Sequence, residues 1–377
     1  MKICMRLVVC LIALVGPALA QVPAYKRPPT SPAFVYVSTP THIEAFGASS
    51  SGELTPVPGS PFPNISVTHL AANYNFLFGT DANGKYVYSF STFSDGGLQQ
   101  VAKTDVSQYV SNPCCGLGLQ IDPSGSDLYV GVTDYVNGEE HTYLESFKID
   151  EASGELQYLG KSLVNPHTIS ELRFVPSTHY AYQTGCWTQV NGGTETETPV
   201  TSEFRRESNG FLTFLGTTDE VPKAEGADKY CPFALASDPT DHLAFVYRTL
   251  GIDTAIGSYT VSAEGKLTTK STYENMPEIA VYPHTASISP TGKLLAVGGG
   301  SAFQLFHFNG SAPVTKFSPA IAAGDNLLGF GWDNNSHLYA LTGSALLVYT
   351  VTPTSIEQTP GSPISIPEAG SVVVFAF

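Results

Sequence analysis

Apolar positions along the chain come in short bursts, and helix-favouring stretches are absent. Runs of β-branched and aromatic residues alternate with turn residues, the pattern of an all-β chain. One run returns seven times in the form apolar-Tyr-Val or a close variant: Phe34–Val37, Phe76–Phe78, Leu128–Val130, Tyr180–Tyr182, Ala244–Val246, Leu294–Val297 and Leu338–Leu341. The spacing of roughly 40 to 65 residues is that of propeller blades. The pattern predicts seven copies of one β-rich unit.

Other elements keep phase with this anchor strand. Ahead of it lies a strand that ends in a turn, as in Ile121-Asp122-Pro123-Ser124-Gly125, Ser237-Asp238-Pro239 and Ile288-Ser289-Pro290-Thr291-Gly292. Pro presets φ for such a turn and Gly takes its left-handed position. After the anchor comes a strand with an aromatic near its end, such as Ile43-Glu44-Ala45-Phe46. A Gly-x-Leu turn and strand then close the unit, as in Gly154-Glu155-Leu156 and Gly265-Lys266-Leu267. Each unit therefore has four strands, A to D, with the anchor as B. The first unit lacks an A strand, and Ser371–Phe377 is a β-rich run with no B strand after it. The fold expected is a seven-bladed β-propeller spanning 33–377, its ring closed by the C-terminal strand completing blade 1. Closure of this kind leaves no open ring edge.

The N-terminus sets the expected compartment. Lys2 and Arg6 precede the apolar run Leu7–Val15, which is too short to span a bilayer, and Ala18-Leu19-Ala20 is a small-x-small cleavage pattern. Residues 1–20 read as a signal peptide and 21–32 as a linker, which makes the mature protein periplasmic or secreted. Cleavage removes two cations and no acid, taking the formal net charge from −15 to −17. Such a charge repels phosphate backbones, so nucleic acid is excluded as a partner. No later stretch is apolar enough to enter a membrane. A monomer that meets a small molecule or a protein at its channel face is expected.

The stretch from Phe34-Val35-Tyr36-Val37 through Ile43-Glu44-Ala45-Phe46 to Gly52-Glu53-Leu54 and Pro58-Gly59-Ser60-Pro61 resembles the lactonase-type seven-bladed propellers. These are similar to bacterial 6-phosphogluconolactonase and to the fungal muconate-cycloisomerising propellers. Pro360-Gly361-Ser362-Pro363 repeats the phrase in blade 7, and Pro283-His284 with Ser289-Pro290-Thr291-Gly292 looks like the family's Pro-His phrase. The resemblance implies the fold and, as an alternative to binding, lactone hydrolysis. Where the cytosolic enzymes carry an Asp-rich segment, this chain has Gly298-Gly299-Gly300-Ser301-Ala302, so no catalytic residue is carried over.

The repeat phase places the candidate chemistry. D-to-A and B-to-C connections emerge on one face, which brings together His69, His167, His284, Asp134, His141, Trp187, Arg248 and the four mature cysteines Cys114, Cys115, Cys186 and Cys231. Cys186 is expected to bridge to Cys231 or to the Cys114–Cys115 pair, since disulfides persist outside the cytosol and zinc-type C-x-x-C pairs are missing. No metal or cofactor is expected. The period of two in the A strands aims Arg173 and Glu171 into the channel, where Arg173 suits a carboxylate or a polarised carbonyl. His284, His69 or His167 would be the base of a hydrolase. Trp187, Asp134, His141 and Arg248 would contact a ligand at the lip of the channel.

Overall fold

The computed structural model describes residues 29–111, 113–137, 139–164, 172–191, 194–218, 231–248 and 254–377. Residues 1–20, expected as a signal peptide, and most of the expected 21–32 linker lie outside these. Seven antiparallel sheets succeed one another along the chain, each built A-B-C-D from the channel outward. All seven anchor runs lie in B strands. The A strands are Val372–Ala376, His69–Ala72, Pro113–Ile121, Arg173–Phe174, Cys231–Ser237, Thr285–Ile288 and Leu327–Trp332, for blades 1 to 7. The C-terminal strand pairs with Ala33–Ser38 in the register Ala33↔Ala376, Val35↔Val374 and Val37↔Val372. The ring is thus closed by the last residues of the chain completing the first sheet.

Because the B strands are covered on both faces by the neighbouring blades, the core is divided into seven clusters, one at each blade interface. Alternation along the B strand feeds two of them at once. In blade 1, Val35 and Val37 pack towards blade 7, while Phe34 and Tyr36 pack towards blade 2.

The tyrosine of the anchor has a second task. Tyr36 OH donates to the Gly96 carbonyl (2.9 Å), Tyr129 OH to Gly210 (2.8 Å) and Tyr182 OH to Gly265, in each case reaching the C-to-D turn of the following blade. The same turn glycine receives a residue from the start of the preceding blade's B strand. A Cβ on Gly96 would lie 2.5 Å from the Phe34 ring, and one on Gly154 2.8 Å from the Phe76 ring. Tyr180, His242 and His337 press in the same way on Gly265, Gly310 and Gly52. Gly96 and Gly210 also have φ of +83° and +93°, where a side chain is strained even without the neighbour. At Gly210 the neighbour is Asp127, a buried carboxylate held by Arg206 of blade 4, whose Nε lies 2.9 Å from Oδ2, and by Lys148 at 3.2 Å.

Outer strands come in two forms. Blades 2, 3 and 4 have continuous outer strands of seven to nine residues, each with a bulge opposite the C strand. In blades 1, 5, 6 and 7 the strand is interrupted, and a serine hydroxyl takes the C-strand N–H left over. Ser60 Oγ accepts from Ala45 N, Ser271 from Ser258, Ser318 from Leu305 and Ser362 from Val348, at 2.8–3.0 Å. The Pro-Gly-Ser-Pro phrase in blades 1 and 7 therefore satisfies a backbone donor that would otherwise be buried unpaired.

Two substitutions measure the contact between blades. Tyr129→Phe should cost about 1–2 kcal/mol, since it leaves the Gly210 carbonyl without its donor. Gly210→Ala should cost more, about 3 kcal/mol or above, because the new Cβ displaces Asp127 from its ion pairs. Denaturant midpoints of the two variants check the order; a smaller loss for Gly210→Ala would contradict it.

Candidate functional site

The seven A strands enclose a channel cavity of about 530 Å³, with residues of every blade in its wall. The positions three before the turn proline, Gln120, Arg173, Ala236 and Ser287, all line it. Arg173 spans three blades: Nη1 donates to Gln120 Oε1 of blade 3 (3.0 Å) and Nε to the Leu235 carbonyl of blade 5 (3.1 Å). Gln120 is oriented in turn by its Nε2 bond to the Ile121 carbonyl (3.2 Å). The guanidinium is thus held in place at the channel wall. Leu119, Phe330 and Val372 supply apolar surface, and Ser237, Ser287, Thr285 and Ser371 supply hydroxyls.

His69 opens the A strand of blade 2 and lines the same cavity, with its Nδ1 3.1 Å from Thr68 Oγ1. Beside it Ser371 Oγ accepts from Leu70 N (3.2 Å), tying blade 1 to blade 2. His284 sits one residue before the A strand of blade 6 and is outside the cavity wall. Its N–H is spent on the Gly298 carbonyl (2.9 Å), and its ring packs against Gly299. Partial burial lowers the pKa of the His284 ring, against an opposing hydrogen bond with Asn326. The structure therefore brings His69 and Arg173 to one cavity and leaves His284 on its rim.

Asp134 and His141 face each other across the blade 3 hairpin, away from the cavity wall. Asp134 is buried and its Oδ2 accepts from Ser111 N (3.0 Å). Arg248 lies at the end of the B strand of blade 5, its guanidinium 3.6 Å from the Phe233 ring centroid and 4.5 Å from that of Tyr282. Such stacking holds a guanidinium flat on the rim. Cys186 and Cys231 form a disulfide, Cα–Cα 5.4 Å, fastening the blade 4 hairpin to the start of the blade 5 A strand. Of the two pairings left open by the sequence, the structure shows this one. His167 and Glu171 lie outside the described residues, as do the side chains of Cys114, Cys115 and Trp187. Among the described residues no group of three or more His, Cys, Asp or Glu is placed to hold a metal ion, and no helix is long and apolar enough to cross a membrane.

Several residues escaped the sequence analysis. Alignment on the turn proline could not see Ser371 or Phe330, because blades 1 and 7 have no proline at that turn. A second hollow of about 380 Å³ opens on the opposite face, walled by Pro176, Pro239, Pro290 and Trp332, and it shares Ser237, Ser287 and Ile288 with the channel. Glu145 was also missed. It shares a strand face with Tyr143, Phe147 and Ile149, and that alternation alone could have marked it as a buried acid.

No family model matches the chain, and no curated protein matches it. Solved structures do match over nearly its whole length. A candidate 6-phosphogluconolactonase from Bacteroides uniformis superposes with a TM-score of 0.64 at 14% identity, covering 91% of this chain and 99% of that one. A second from Bacteroides fragilis gives 0.60 at 12% identity, with 92% and 98% covered. The fold is that of the lactonase-like propellers. It is shared more widely, since a protein from Sulfolobus tokodaii described as a hypothetical selenium-binding protein gives 0.59 at 12% identity, with 93% and 96% covered. At these identities the lactonase-like likeness carries the fold and no activity.

Reduction tests the structural role of the cysteines. Breaking Cys186–Cys231, a separation of 45 residues, should destabilise the protein by about 2–4 kcal/mol. Thermal unfolding of wild type and Cys186→Ser, each with and without reductant, checks this. Only wild type should respond to the reductant with a comparable loss.

Proposed function

We propose that this propeller is an extracytoplasmic binding module that takes a small molecule with an oxygen acceptor, a carboxylate or a carbonyl, into the mouth of its channel. The observation that carries the proposal is Arg173, a guanidinium fixed by Gln120 and Leu235 in the wall of a 530 Å³ cavity. That volume is within the range of small-molecule sites, and the mixture of apolar wall with a few placed polar groups is typical of them. The overall negative charge does not forbid an anionic ligand. Screening confines the distant acids to about 8–10 Å at physiological salt, whereas the guanidinium acts at contact. Arg248, stacked on the rim, adds a second cation on the approach. The negative charge on the rest of the chain argues against nucleic acid as the occupant.

His69 in the same wall supports a second function, hydrolysis of a lactone. Arg173 would polarise the ring carbonyl and His69 would take a proton from the attacking water. Water adds to the carbonyl carbon, the ring C–O bond breaks, and the proton passes to the leaving alkoxide, giving a hydroxy acid. The lactone-type names of the structural neighbours agree with this chemistry without assigning it.

Calorimetric titration with a panel of lactones and their hydroxy acids tests the site. Arg173→Ala should weaken binding of the best ligand by about 10- to 100-fold, the loss of a charge-assisted bond. Equal affinity in the variant would place the ligand elsewhere. His69→Ala separates the two functions: a binding module keeps its affinity, while a hydrolase loses turnover of the lactone and retains affinity for it.

A further inference from the structure

The C strand of blade 3 carries a carboxyl group in an apolar interface. Glu145 is wholly buried, and neither carboxyl oxygen has a hydrogen-bond partner among the described residues. Its directly opposed neighbour on the outer strand is Lys161, in the register Glu145↔Lys161. Opposed side chains of an antiparallel pair share a face with their Cβ atoms about 5 Å apart, so these two are within reach of each other. Yet the ammonium does not form an ion pair with the acid. Lys161 Nζ donates to the Tyr109 carbonyl at 2.7 Å and lies 4.4 Å from the centre of the Tyr143 ring.

Tyr109 belongs to the connection from blade 2 into blade 3, a short 3₁₀ turn at Ser107–Tyr109. Its ring stacks on Tyr158 at 3.6 Å, and both rings lie close to Phe147, on the same strand face as Glu145. From this turn the chain runs to Ser111, whose N–H is held by Asp134, and then into the A strand that carries Gln120, the partner of Arg173. The titratable and charged groups about Glu145 are Tyr143 on its own strand, Tyr158 and Lys161 on the outer strand, and Tyr109 and Asp105 on the blade 2 side.

We propose that Glu145 and Lys161 form a proton-operated latch on the blade 2 to blade 3 connection. In the latched state the acid is neutral and Lys161 holds the Tyr109 carbonyl. When the acid loses its proton to solvent, a buried carboxylate without a partner is costly, and Lys161 is the cation directly opposite it across the strand pair. The ammonium moves to the carboxylate, the Tyr109 carbonyl loses its donor, and the Ser107–Tyr109 turn is released at the face where the channel opens. Burial holds the Glu145 carboxyl at about 8, with the Lys161 charge only partly offsetting it, so the exchange belongs to mildly alkaline conditions. The sign for stability follows. The folded state keeps a proton that the unfolded chain gives up above its ordinary value, so this stabilisation is complete at low pH and is lost as pH rises through about 8.

A pH titration of the labelled protein by NMR tests the latch, following the Glu145 carboxyl carbon and the amides of Tyr109, Val110 and Ser111. In wild type the carboxyl and the three amides should move together with one midpoint near 8. In Glu145→Gln, which mimics the neutral acid, the amides should stay at their low-pH positions throughout. In Lys161→Met the acid should still titrate, at a higher pH, while the amides no longer follow it. The latch is overturned if Glu145 titrates in the ordinary carboxylate range. It is equally overturned if the wild-type amides ignore the acid, or if their transition survives in either variant. The wild-type titration decides the matter alone should a variant not fold.

Discussion

The ring depends on the packing between successive sheets, which an anchor-tyrosine hydroxyl reaching the glycine turn of the next blade reinforces at three of the interfaces. Apart from the Cys186–Cys231 disulfide, successive blades among the described residues are covalently joined by single chain connections. What sets the angle between successive sheets must be side-chain packing. Tyr36, Tyr129 and Tyr182 each cross the interface and end on a carbonyl of Gly96, Gly210 and Gly265. Beside each hydroxyl, a side chain from the start of the B strand packs against the same glycine: Phe34, Asp127 and Tyr180. One bond of this kind contributes only about 1 kcal/mol. Made at three of the seven interfaces, and joined by the apolar cluster packed at every one, it helps to set the distance between sheets and hence the width of the channel at the centre.

That width gives the candidate site its character. The A strands leave an open axis whose wall mixes small residues such as Ser237, Ser287 and Ala236 with apolar ones such as Leu119 and Phe330 and, among the described residues, the long cation Arg173. Arg173 can reach Gln120 and Leu235 because they sit on the blades to either side of its own. A guanidinium braced by two neighbours loses little freedom on meeting a ligand, and that preorganisation makes it a better candidate than a lone surface arginine. The rim is less regular. There the blade 4 hairpin is tied to blade 5 by Cys186–Cys231, close in sequence to the stacked Phe233.

The fold was legible because the B strand is buried on both faces, so its apolar run has no polar interruption and recurs visibly as Phe34–Val37 or Leu338–Leu341. The turn proline then placed Arg173 and Gln120 in the channel by counting residues. The ends of the chain gave closure for the same reason, an A strand missing at one end and supplied at the other. What the sequence withheld depends on geometry across blades. His284 has the more suggestive local phrase, but its ring packs against Gly299, outside the wall that His69 lines. Pairing of Cys186 with Cys231 needed the distance between two blades. The Pro-Gly-Ser-Pro phrase read as a turn, whereas its serine replaces a missing strand residue, a role visible only when Ala45 N and Val348 N are seen to need an acceptor.

The most direct measurement is a crystal structure of the protein soaked with the best-binding hydroxy acid of the calorimetric panel. Density for the ligand inside the seven A strands, with an oxygen within hydrogen-bond distance of the Arg173 guanidinium, is what the account predicts. A ligand seated outside the channel, with the Arg173–Gln120–Leu235 brace unchanged and no density beside it, would contradict it.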